Sequence, residues 1–194
     1  MTRIRDPIHG SIALDARELA VVDSPFFQRL RSIRQTGFAD LAFPGATHSR
    51  YVHALGACHL SGRIFERIAT RLPGLPTAER ERLRAGLRLA VLLHDLGHAP
   101  FSHSSESIMP PRASLRLPSW LGSGSTTAQA NHEDYTLKLV LDSDLADVLR
   151  RAYGPLGLPP EAIAGLIGGV RPPGGPYFVV DGVDVAPLLR QVIS

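Results

Sequence analysis

Within Leu92 to His103, LLHDLGHAPFSH, three histidines and an aspartate follow the most apolar run of the chain. His94 and Asp95 are adjacent, so on a helix they point about 100° apart and can grip one ion from two sides without completing its shell. His98 follows His94 by one turn and is expected on the same face. Pro100 breaks a helix and lets His103 return toward the same place, with Glu106 behind it. Further ligands must come from elsewhere. His53, in SRYVHALG, is the best remote candidate, and His132 and Glu133, in NHEDY, open a later helix. Imidazole with carboxylate suits zinc, iron, manganese or nickel, and the absence of cysteine from the set points away from a structural zinc finger. Without a cation, an aspartate at the end of a buried apolar helix is costly. His9 and His59 lack such company and read as ordinary hydrogen-bonded histidines.

The elements that must position these groups are mostly helical. The opening RIRDPIHGSIALD turns at Pro7 and Gly10, as a small hairpin does. Asp23 or Ser24 can cap a helix with Pro25 in its first turn and Gly37 at its end, its Phe26, Leu30 and Ile33 on one side and Arg29, Arg31 and Arg34 on the other. A long helix is expected from about Tyr51 to Leu72, stopped by Pro73-Gly74. The next runs from Glu79 to about Gly97, apolar nearly all round at its carboxyl end and therefore buried there. Residues 110–130 are rich in Pro, Gly, Ser and Thr without periodicity and read as a surface loop or lid. Asn131 caps a helix to about Leu141, Asp142 or Ser143 starts another toward Tyr153, Pro160 to Ile167 forms a third, and APLLRQVIS begins a last one after a short strand.

Composition bounds the class of protein. At 194 residues one domain, 1–194, is the natural reading, and 44% hydrophobic with 20% charged residues is ordinary for a soluble globular chain. Aromatics at 6% offer no extended stacking surface for single-stranded nucleic acid. The net charge of +3 is carried by arginine, Lys138 being the only lysine, and arginine's planar fork suits phosphate. The arginines of RLRSIR and RERLRAGLR mostly fall on wet helical faces. One cysteine, Cys58, no signal-like start and no spanning apolar run indicate a cytoplasmic protein away from membranes.

The ordered succession of RDPIHGSIALD…FFQRLRSIRQTG, HSRYVHALG, LLHDLGHAPFSH and NHEDY closely resembles the HD-domain phosphohydrolases, in particular the deoxynucleoside triphosphate (dNTP) triphosphohydrolase branch. The resemblance implies an all-α HD-domain fold with a small N-terminal β-hairpin. It implies a divalent metal (Mn, Fe, Zn or Ni, with Mg a further candidate) on His53, His94, Asp95 and a distant Asp. His98, His103, Glu106, His132 and Glu133 then line the phosphate side, with His103 and Glu106, or His132 and Glu133, supplying the general acid. By the same resemblance Arg50 contacts a phosphate and Gln35 faces the sugar beside Thr36, which stands where many relatives carry a larger apolar residue. Asp23, Gln28 and Arg31 match positions that hold an activating nucleotide between subunits of a homo-oligomer in some relatives.

One element of the family's pattern is not found. The family's final ligand lies in a segment resembling LDADRMDYLLRD after a helix like LLRQVIS, where this sequence reaches Ser194, while Asp181 and Asp184 precede that helix. The expectation is an amino-terminal portion of a longer enzyme, lacking C-terminal helices. The expected activity is metal-dependent hydrolysis of dNTPs to nucleoside and triphosphate. The alternatives are a phosphodiesterase or nucleotide phosphatase on the same scaffold, or a degenerate module that senses nucleotides or nucleic acid.

Overall fold

The computed structural model describes residues 1–72, 74–122 and 128–193. The N-terminal hairpin pairs β1 (Thr2–Asp6) antiparallel with β2 (Gly10–Leu14), Thr2 opposite Leu14 and Asp6 opposite Gly10. Asp6 Oδ1 closes the turn by accepting from the amides of Ile8 and His9 at 2.9 and 2.7 Å, and Gly10 takes the positive φ that the reversal needs. Asp15 then caps α1 (Ala16–Val22) in a capping box with Glu18.

Ser24 caps α2 (Pro25–Gln28), which tightens into a 3₁₀ turn at Arg29–Ser32 and ends as Ile33 becomes extended. The helix is thus shorter than the apolar spacing suggested, because Arg34 bridges to Ser49 and draws the chain out of it. Gly37 has φ +59° in the loop that follows.

Two long helices form the frame of the site. In α3 (Arg50–Ala69), Tyr51, Ala54, Leu55, Cys58 and Phe65 face the core, and in α4 (Thr77–Leu93) every residue from Ala85 to Leu93 is buried. The second matches the expectation of a helix apolar all round at its carboxyl end. Pro73, expected to stop α3, lies outside the described residues. Arg88 departs from the wet-face reading. It is buried, pairs with Glu18 at 2.5 Å and donates to the carbonyls of Cys58 and Ala13, which ties α4 to α1, α3 and the hairpin.

The second half adds α5 (His132–Leu141), α6 (Asp144–Tyr153) and α7 (Pro160–Gly168), with α7 packed on both α4 and α5. Asn131 and Ser143 are the caps of α5 and α6. A two-residue hairpin, β3 (Val179–Val180) with β4 (Val183–Asp184), leads into α8 (Ala186–Arg190). Of the 110–130 segment, residues 123–127 lie outside the described residues. The rest is anchored: Met109 and Leu115 pack with Ala130, Leu121 joins the main core, Pro111 bridges to Gln129, and Arg112 donates to Asp134 at 2.7 Å. The fold is all-α apart from the hairpins, and among the described residues no helix is long and apolar enough to cross a membrane.

Candidate metal centre and histidine cluster

The site begins where α4 ends. The helix stops at Leu93, not at Gly97 as the sequence suggested, because the Gly97 amide donates to Thr136 Oγ1 of α5 at 2.8 Å while the Leu93 carbonyl accepts from Leu96. Thr136 Oγ1 in turn donates to the His94 carbonyl at 3.0 Å, so one hydroxyl clamps both ends of the turn. A side chain on Gly97 would overlap the His132 carbonyl and the Thr136 amide, so only glycine lets α5 come this close. His98 is therefore reached through two tight turns and does not ride the helix with His94. Its Nε2 still lies 3.4 Å from Asp95 Oδ1.

Two groups of donor atoms gather around this turn, each within 4.8 Å of one another: His53, His94 and Asp95, and His98, His103, Glu106 and His132. In the first, His53 Nε2 and His94 Nε2 stand 3.7 and 3.5 Å from the two oxygens of Asp95. His94 Nδ1 donates to the Val91 carbonyl at 2.6 Å, which fixes the tautomer and leaves the Nε2 lone pair free on the carboxylate side. Burial pulls the His53 pKa down despite the Asp95 charge, which favours the neutral, ligating form. Burial would raise the Asp95 carboxyl, but the neighbouring His98 ring and the Arg50 guanidinium hold it far below the usual carboxylate range. Two neutral imidazole nitrogens beside one anionic carboxylate fit a divalent transition metal with open positions. Asp181 and Asp184 do not join: both are exposed, and Asp184 Oδ1 caps the Ala186 amide.

The second group is a stack of imidazoles. His98 and His132 lie face to face, 3.8 Å between centroids, and His103 sits edge-on to both at 4.8 and 4.9 Å. Glu106 Oε1 serves His103 Nδ1 at 3.2 Å and also His132 Nδ1. Burial opposes ionisation of Glu106, yet these two hydrogen bonds bring its pKa down. His98 Nδ1 is buried without a partner among the described residues, and burial lowers the His98 pKa. Glu133, expected beside His132, is exposed in the first turn of α5 and outside this group, so one carboxylate serves both histidines and it is Glu106.

Arg50, 2% exposed, sits behind Asp95. Its Nη1 donates to Asp95 Oδ2 at 2.5 Å, and its Nη2 to Ser102 Oγ and the Gln35 carbonyl. The residue expected to contact phosphate thus braces the Asp95 carboxylate in this conformation. Gln35 Oε1 is buried without a partner among the described residues, whereas Thr36 Oγ1 donates to the Ala46 carbonyl at 3.1 Å. The expected regulatory trio lies elsewhere: Asp23 ends α1, Gln28 donates to the Val22 carbonyl and accepts from Arg31 Nε, and Arg31 covers the Tyr51 ring at 3.7 Å. Sequence reasoning missed Gly97, Thr136, Ser102 and Arg29. Arg29, read as wet, donates to the carbonyls of Leu96 and His98 and holds the turn from the other side. Its position in a run of similar arginines gave no signal of this. Gly97, inside the histidine stretch, did carry one: a glycine among ligands marks close backbone approach.

This arrangement belongs to a known class. The HD domain family model matches residues 50–169, and the chain belongs to that family. Its relatives include the deoxynucleoside triphosphate triphosphohydrolase SAMHD1 homolog of Dictyostelium discoideum, 36% identical over 137 residues, covering 71% of this chain and 24% of that protein. Human deoxynucleoside triphosphate triphosphohydrolase SAMHD1 is 34% identical over 172 residues, covering 83% of this chain and 27% of the relative. The chain therefore spans about a quarter of the length of these curated relatives. Among solved structures, a phosphohydrolase from Bacteroides thetaiotaomicron superposes with a TM-score of 0.59 at 26% identity, over 81% of this chain and 34% of that one.

Proposed function

We propose that the protein is a metal-dependent phosphohydrolase that converts dNTPs to nucleoside and triphosphate. One observation carries the reading: a His53–His94–Asp95 donor set shares Asp95 with His98, the first member of a cluster of three histidines built around Glu106. A divalent ion on the first set supplies Lewis-acid chemistry, neutralising phosphate charge and acidifying water. The second set holds phosphate oxygens and moves protons. Water forms the new bond to the α-phosphorus and releases a proton to solvent, the bond from that phosphorus to the 5′-oxygen breaks, and the leaving 5′-oxygen takes a proton from an imidazolium. His103 and His132 are the two candidates for that proton. Glu106 orients both through Nδ1, which leaves each Nε2 for the substrate. The Oε1 of Gln35, unpartnered among the described residues, has room in its hydrogen-bonding for a sugar hydroxyl.

The choice of dNTP over other phosphate esters rests on similarity to the triphosphohydrolases. The same resemblance supports a homo-oligomer with an activating nucleotide near Asp23, Gln28 and Arg31, while the cytoplasmic location rests on the lone Cys58 and the lack of a signal-like start in the sequence. The test is incubation of metal-loaded protein with the four dNTPs, with products resolved by chromatography. Nucleoside and triphosphate appearing together in one step support the proposal. Stepwise loss of phosphate, or hydrolysis confined to diesters, replaces it with a phosphatase or phosphodiesterase.

A further inference from the structure

Two phenylalanines stand in solvent at the edge of this site. Phe38 and Phe101 are 53% and 57% exposed, yet their rings stack in parallel, 4.9 Å apart at 14°. Each is mounted on a segment that enters the site. Phe101 precedes Ser102, which Arg50 binds, and lies two residues before His103. Phe38 lies three residues after Gln35, whose carbonyl Arg50 also binds. At about 3.8 Å per residue, the Phe101 and His103 α-carbons are at most roughly 8 Å apart.

The backbone holds this arrangement against its own preference. Phe101 and Ser102 both have positive φ, +69° and +58°, a left-handed conformation that non-glycine residues seldom adopt and that clusters at binding sites. Burying the Phe101 ring does not offset that cost, since the ring is exposed. Gly37, also at positive φ, lets the two segments meet: a β-carbon there would press on the Phe101 carbonyl at 3.3 Å.

We infer that the Phe38–Phe101 stack is a nucleobase platform, on which the base of the nucleotide extends the stack while its phosphates lie on the histidine cluster. The inference rests on the reading that the site takes nucleotides. Phenylalanine has no polar edge, so the platform reads a planar π-face and no hydrogen-bonding pattern. All four bases are accepted, and purines, with the larger face, are held more tightly.

The test compares wild type with Phe38→Ala, Phe101→Ala and Phe38→Trp on the full chain, reading KM and kcat for dATP and dTTP together with inhibition by inorganic tripolyphosphate. Base stacking of ordinary strength predicts that Phe38→Ala raises KM roughly five- to a hundredfold, more for dATP than for dTTP, with kcat and tripolyphosphate inhibition nearly unchanged and Phe38→Trp restoring affinity. Unchanged KM values overturn the inference. So does an equal shift for dNTP and tripolyphosphate, which means that the rings only shape the loop. If the wild type hydrolyses no dNTP, the functional proposal fails separately. Calorimetry with deoxyadenosine then judges the platform alone: binding that Phe38→Ala removes sustains it, and no binding overturns it.

Discussion

At the scale of single residues, Glu106 and Arg50 are the groups whose partners define their work. Glu106 accepts from both His103 and His132, so Glu106→Gln keeps the size while removing the charged acceptor that orients two imidazoles. The expected result is a loss of about 10²–10⁴-fold in kcat with KM changed far less, read from steady-state dNTP hydrolysis. Glu133→Gln is the control, because Glu133 is exposed and outside the cluster; it is expected to retain activity within a few-fold of wild type. Arg50→Ala leaves Asp95 buried without its cation and costs about 3–5 kcal/mol, measurable by urea denaturation of the metal-free protein. The residue types and spacing of LLHDLGHAPFSH singled out His94 and Asp95, which the structure brings together with His53 from a different helix. What they could not show was which carboxylate serves which histidine, since Glu133 is adjacent to His132 in sequence and Glu106 is 26 positions away.

At the scale of elements, the contact between the turn after α4 and the start of α5 decides whether two half-sites become one. Gly97→Ala forces a methyl group into the His132 carbonyl and the Thr136 amide, and these are backbone atoms that cannot rotate aside. Expected are a destabilisation of about 1–3 kcal/mol or more and a loss of turnover even at temperatures where the variant is folded, because α5 carries His132 away from His98. Thermal melts paired with activity at 10 °C separate the two effects. The N-terminal elements answer to pH. Asp15 caps α1 in a capping box, and the backbone amide of Glu18 and the Arg17 side chain bring its pKa below 3.8 despite partial burial. A depressed carboxyl contributes stability above its unfolded pKa and loses it as pH falls through the folded value. Asp15→Ala is therefore expected to cost about 1 kcal/mol at pH 7, with the gap from wild type closing below about pH 3.8 in denaturation curves. Three helix starts were legible because caps are local: Ser24, Asn131 and Ser143 sit where sequence placed them or at one of two choices offered, whereas α1 and its Asp15 cap were not expected. Helix ends were less so. That of α4 depends on Thr136, 43 residues past Leu93, and no periodicity near Gly97 encodes a hydroxyl arriving from another helix.

At the scale of the whole molecule, the donor set joins α3, which supplies His53, to the turn that closes α4, which supplies His94 and Asp95. These two helices pack along one another, and α4 also packs against α7, so an ion bound between them is linked to folding of the frame. An ion that binds only the folded chain adds RT ln(1 + [L]/Kd), about 2.7 kcal/mol at a hundredfold excess over Kd. For a chain of this size that corresponds to a rise of roughly 5–10 °C in Tm. Chelation is accordingly expected to lower Tm by that amount, and re-addition of Mn, Fe, Zn or Ni to restore it. His53→Ala should abolish the response while leaving the metal-free Tm nearly unchanged, because His53 is partly exposed and its carboxylate neighbour keeps Arg50. Calorimetric scans across chelator and metal, run beside elemental analysis, decide the matter. A metal-induced rise in Tm that survives His53→Ala would place the ion elsewhere, with the second histidine group as the next position to mutate.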